Sequence, residues 1–164
     1  MANTFTAHTS AFTGDVNDFA LETFVLGPYT VGTASGSVVL GTDGTYPLLA
    51  LPFKADIEKI TVRDTTVAAA GADTIQFAVA APGTAIGSAS AITAAHDMNA
   101  PTVDTPWDVP FSGTGHLSLA SGTTLALVTG GTIVSLAGLV ITVVVRKTAQ
   151  RTTDSSRKFY TKNS

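Results

Sequence analysis

Alternation of apolar and polar residues, cut into short pieces by evenly spaced glycine turns, confines this chain to β-structure. The clearest piece is residues 73–81, where Ile75, Phe77 and Val79 share one phase and Thr74, Gln76 and Ala78 the other. Successive strand residues face opposite sides of a sheet, so a period of two buries one set and turns the other outward. Leu49, Leu51 and Phe53 alternate likewise, and Pro52 favours a sheet edge because proline cannot donate to a ladder. In residues 56–64, Ile60 and Val62 agree but Ile57 is out of phase; one extra residue near Glu58, a β-bulge, reconciles them. Leu117 with Leu119, and Leu125 with Leu127, form later alternating pairs. Leu139, Ile141, Val143 and Val145 share a last face, while Val140 and Val144 make its opposite face apolar too. A strand apolar on both faces belongs in the middle of a sheet or under a partner.

Turn chemistry agrees with this pattern. Gly-Thr recurs at Gly113-Thr114, Gly122-Thr123 and Gly131-Thr132, nine residues apart. Glycine supplies the positive φ of a tight turn, and threonine re-enters the strand. Short strands punctuated at this interval predict an all-β fold, an antiparallel β-sandwich. About eight strands fit a jelly roll best and an immunoglobulin-like sandwich second. The Gly-Gly-x-Gly-x-Asp repeat of a calcium-binding β-roll is missing.

Charge and composition divide the chain into three. Residues 1–145 carry Lys54, Lys59 and Arg63 as their only basic side chains against eleven acidic ones. Residues 146–164 carry Arg146, Lys147, Arg151, Arg157, Lys158 and Lys162 against Asp154 alone. Residues 1–45 read as an N-terminal arm, 46–147 as the sandwich domain and 148–164 as a basic C-terminal tail. Within the arm, residues 15–22 have the pattern of one short helix with Asp15 as N-cap. Phe5, Phe12, Phe19 and Phe24 give the arm apolar anchors, for its own domain or for a neighbouring subunit. The tail offers cationic side chains together with Phe159 and Tyr160.

Only 13 % of the chain is charged, against roughly 25 % in a typical globular protein, and such a surface is poorly protected against association. Absence of cysteine excludes disulfides and thiolate chemistry. The start has neither a basic n-region nor an apolar h-region, so no secretion signal is expected. The longest apolar run, residues 133–145, is short of the roughly 20 residues that a spanning helix needs, and is read as strand. No membrane partner is expected.

Catalytic and ligand motifs are scarce. His8 lies in the polar start, His116 on the outward phase of its strand, and His96-Asp97 is an adjacent acid–imidazole pair with no nucleophile elbow nearby. His96, Asp97, Asp104 and Asp108 are the one cluster of potential metal ligands, without the spacing of a calcium loop. No phosphate-cradling loop is present. Phe159 and Tyr160 beside Lys158 and Lys162 are the sole nucleic-acid candidates, and the acidic body repels phosphate, so that partner is not expected. The expectation is a protein that is not an enzyme and takes no cofactor or metal.

Residues 48–147 resemble the small decoration, or cement, proteins of tailed bacteriophages. The likeness lies in the Ala81-Pro82-Gly83-Thr84-Ala85-Ile86-Gly87-Ser88 linker, the stretch Ala91-Ile92-Thr93-Ala94-Ala95-His96-Asp97-Met98-Asn99, and the endings Leu117-Ser118-Leu119, Leu125-Ala126-Leu127 and Gly138-Leu139-Val140-Ile141-Thr142-Val143. The resemblance implies a jelly-roll virion protein, made in the host cytoplasm, that trimerises on the capsid surface and clamps the major capsid protein. No single residue's role carries over, since that task rests on surfaces; the arm and tail are the docking candidates. The rival reading is a carbohydrate- or receptor-binding β-sandwich of a fibre or head appendage.

Overall fold

The computed structural model describes residues 21–32, 39–40, 43–66, 73–112, 117–131 and 135–148. They form eleven strands: β1 (Leu21–Gly32), β2 (Val39–Leu40), β3 (Gly44–Ala50), β4 (Ala55–Arg63), β5 (Thr74–Ala80), β6 (Ser90–Ala91), β7 (His96–Asp97), β8 (Trp107–Asp108), β9 (Leu117–Leu119), β10 (Thr124–Gly130) and β11 (Ser135–Lys147). One sheet has the order β2-β1-β11-β4-β8, with β9 also on β4; the other has β3-β10-β5-β6, with β7 also on β5. All pairs are antiparallel except β1 with β2. The chain is an all-β sandwich, as the alternation predicts.

The pairing is nested. The first strand lies beside the last (β1 with β11), and β3 lies beside β10. Further in, β4 pairs with β8 and β9, and β5 with β6 and β7. The pairs are nested like those of one long hairpin, and alternate pairs fall in different sheets: β1 with β11 and β4 with β8 and β9 in one, β3 with β10 and β5 with β6 and β7 in the other.

The interior follows the alternation. Ile57, Ile60 and Val62 from β4 and Leu139, Ile141, Val143 and Val145 from its neighbour β11 are buried in one cluster with Ile75 and Phe77 from β5 and Leu125 and Leu127 from β10, in the opposite sheet. The expected bulge is present: Val144 pairs with Lys59 and Val145 with Ile57, so Glu58 has no opposite residue. That extra residue returns Ile57 to the core phase. Val79 is only half-buried and packs at the margin of the cluster. β3 is an edge strand, but it ends at Ala50, so Leu51, Pro52 and Phe53, expected to continue it, lie beyond it, and the proline within it is Pro47. Gly122 and Gly131 take the positive φ that their turns require, +84° and +93°; Gly113 lies outside the described residues.

The N-terminal boundary needs correction. Of the segment expected as an arm, residues 21–32 are the strand β1, which pairs with β11 over most of its length. Phe24 and Leu26 turn into the core while Thr23 and Val25 face out. Gly27 and Pro28 hide this strand in the sequence; register shifts on either side of Tyr29 absorb them. Leu21 and Glu22 are strand residues, not the end of a helix, and residues 15–20 lie outside the described residues. The apolar run at 133–145 supplies most of β11, which is central in its sheet; Val140 and Val144 lie on the outer face of that sheet and are half-buried.

Candidate functional site

The outer face of the β1–β11–β4 sheet carries two of the exposed large apolar side chains among the described residues, Leu21 and Val25. Its rows read Thr23–Val144–Lys59 and Val25–Thr142–Thr61 across the three strands. Leu21 is 60 % and Val25 66 % exposed, high for large apolar side chains, and Val140 and Val144 are half-buried beside them. Charges on this face are matched within it: Lys59 meets Asp108 at 2.9 Å and Arg63 meets Asp104 at 3.0 Å. The Lys59 ammonium and the Thr61 hydroxyl, both bonded to Asp108, hold its carboxyl below the usual range. Among the described residues, β2 borders β1 only at Thr30 and Val31, so the stretch from Leu21 to Leu26 is an open sheet edge. Open edges and contiguous apolar patches are where proteins meet partners.

The structure redraws the tail. Arg146 and Lys147, expected as docking cations, are strand residues of β11. Arg146 Nε lies 3.0 Å from Oε1 of Glu58, the bulged residue. Lys147 pairs with Glu22 of β1 and sits 4.5 Å from the centre of the Phe53 ring. Each charge is paired inside the domain with a carboxylate distant in sequence. Thr148 also belongs to the body, since its N–H donates to the Lys54 carbonyl at 3.1 Å. Phe24, expected as an arm anchor, packs on its own core. Arg151, Arg157, Lys158, Phe159, Tyr160 and Lys162, and Phe5, Phe12 and Phe19, lie outside the described residues, as do His8 and His116.

At one end of the seam between the sheets lies a cleft of about 370 Å³ whose lining includes His96, Asp97, Thr102, Thr105 and Trp107. Its walls hang from different sheets. His96 is opposite Ile75 of β5, and Trp107 is opposite Val62 of β4. Their ring centroids are 5.2 Å apart at an interplanar angle of 56°. Trp107 also packs on the core. His96 is half-buried and Asp97 exposed, so these neighbours do not act as a pair. Burial lowers the His96 pKa and keeps the imidazole neutral at physiological pH. The four candidate metal ligands are divided, with Asp104 on Arg63 and Asp108 on Lys59, and no set of three ligand side chains gathers among the described residues.

Two carboxylates, Asp64 after β4 and Asp73 before β5, are buried without a hydrogen bond from any other described residue. Burial pushes the Asp64 carboxyl up; its own backbone N–H pulls it down, and the Asp104 carboxylate adds to the rise. A raised folded pKa means that the fold prefers the protonated acid. The stability due to this group is fully present below the ordinary value of 3.8 and is lost as pH rises through the folded value. Asp64→Asn is therefore expected to raise the urea midpoint at pH 7, with the gain shrinking toward pH 4. A gain or loss independent of pH in that series would show that titration of Asp64 is not its source.

No protein-family model, curated protein or solved structure matches this chain.

Proposed function

We propose that the protein is a non-enzymatic virion structural protein, a cement or decoration protein that binds the outside of a bacteriophage capsid as a homotrimer. The observation that carries this reading is the outer face of the β1–β11–β4 sheet, with Leu21 and Val25 exposed and its cations matched by its own carboxylates. In this reading a second copy covers Val25, Val140 and Val144, and the major capsid protein receives the tail. The nested strand order supports a jelly roll, since first-with-last pairing across two sheets is the connectivity of that fold, which recurs in capsid and lectin domains. Of the basic residues expected in the tail, four (Arg151, Arg157, Lys158 and Lys162) remain beyond Thr148, against Asp154 alone. A partner with an acidic surface suits them.

Sedimentation with expanded, undecorated capsids tests the reading. The intact protein is expected to co-sediment, and light scattering to give a trimer in solution or on the shell. Deleting residues 149–164 is expected to leave the melting temperature nearly unchanged and to weaken capsid binding. Binding by the intact chain should fall with salt, as the Debye length shrinks from ~10 Å at 0.1 M to ~3 Å at 1 M. Attachment that survives both truncation and high salt would remove the tail from this function.

A further inference from the structure

We propose that the His96–Trp107 cleft is a binding site for a neutral saccharide, a function that capsid cementing does not require. A sugar ring presents C–H groups on its faces and hydroxyls around its rim. A site for it needs an aromatic surface beside polar groups that accept and donate. The cleft joins those elements: the Trp107 indole and the tilted His96 ring, the Asp97 carboxylate, and the hydroxyls of Thr102 and Thr105. Its volume, about 370 Å³, lies at the low end of the range for small-ligand sites, which suits a single ring.

The ring nitrogens themselves, His96 Nε2 and Trp107 Nε1, are buried. A ligand in the cleft therefore meets the ring carbons and the side chains of Asp97, Thr102 and Thr105.

Electrostatics selects among ligands. Among the described residues no cation lines the cleft: His96 is held neutral by burial, and Asp97 is the one formal charge. Phosphates, uronic acids and sialic acids are therefore disfavoured, since nothing compensates their charge. A metal ion is disfavoured as well, with no three-ligand group among the described residues. The polar edge is also held in place, because Asp97 Oδ1 accepts the Asn99 N–H at 2.9 Å. With one wall from each sheet, the site is set by the packing of the sandwich rather than by a free loop.

Trp107 is the only tryptophan in the chain, so its fluorescence reports this cleft alone. The intact protein is titrated with glucose, galactose, mannose and N-acetylglucosamine, and in parallel with calcium chloride, choline and sodium phosphate at constant ionic strength. A saturable change with at least one neutral sugar is expected, with Kd of about 1 mM. Asp97→Ala, at an exposed position, is expected to weaken that binding about tenfold while leaving the urea midpoint in place. Trp107→Phe, followed by calorimetry, is expected to weaken it too, since the smaller ring offers less surface. The proposal is overturned if no neutral sugar saturates up to about 100 mM, that is, about 100 times this Kd. It is equally overturned if only the cations or phosphate do, or if sugar binding persists unchanged in both variants. None of these outcomes bears on capsid binding.

Discussion

Replacing Phe77 with alanine is expected to cost about 3–5 kcal/mol, read as a fall in the urea midpoint at unchanged slope. Phe77 is wholly buried and stands opposite Leu127 in the middle of β5. Its backbone is as fixed as its ring: the N–H donates to Thr93 Oγ1 at 2.9 Å, and the carbonyl accepts the Ile92 N–H at 2.9 Å. Neighbours tied this way relax little into the space vacated, so the loss of burial and the cavity both count. The domain has only ~5–15 kcal/mol of stability to lose. Val79→Ala, two residues along in the same phase but half-buried, is expected to cost clearly less. Equal losses at both positions would contradict the core described above.

How much of the molecule the sequence discloses depends on how local the determining contacts are. Ile75 and Phe77 are legible because alternation is a property of one strand. The Glu58 bulge is legible for the same reason, since a broken phase between Ile57 and Ile60 has one simple repair. Strand β1 was concealed because Gly27 and Pro28 interrupt its pattern and only its pairing with β11, more than a hundred residues later, makes it a strand. Arg146 and Lys147 read as free charges because Glu58 and Glu22, which pair with them, are far away in sequence. Charge counted along a chain measures the surface only where such pairs are absent. The two aromatic walls of the cleft are eleven residues apart, yet each is placed by a different sheet. His96 was visible as half of an acid–imidazole pair; its juxtaposition with Trp107 was not.

Gly138→Ala is expected to be strongly destabilising. Gly138 has φ +65°, in the left-handed region, where an L side chain costs roughly 1–2 kcal/mol. A Cβ there falls 2.1 Å from Oγ1 and 2.7 Å from Cγ2 of Thr65, well inside contact distance. Thr65 cannot swing away freely. Its Oγ1 donates to the Ala137 carbonyl at 3.0 Å, and its N–H and that of Thr66 donate to the same oxygen at 3.0 and 3.2 Å. This knot joins the end of β4 to β11 just before their ladder begins at Val140 and Arg63, so a shift here propagates into the central pairing. Overpacking of this kind adds about 1–3 kcal/mol, for a total of about 2–5 kcal/mol and a fall in melting temperature of at least about 5 °C. The two contributions separate in a double-mutant cycle. Thr65→Gly removes every atom that the new Cβ meets, so in that background Gly138→Ala should cost only the backbone share. Additive effects of the two substitutions would mean that the clash is relieved elsewhere and that strain in β11, not contact with Thr65, sets the need for glycine.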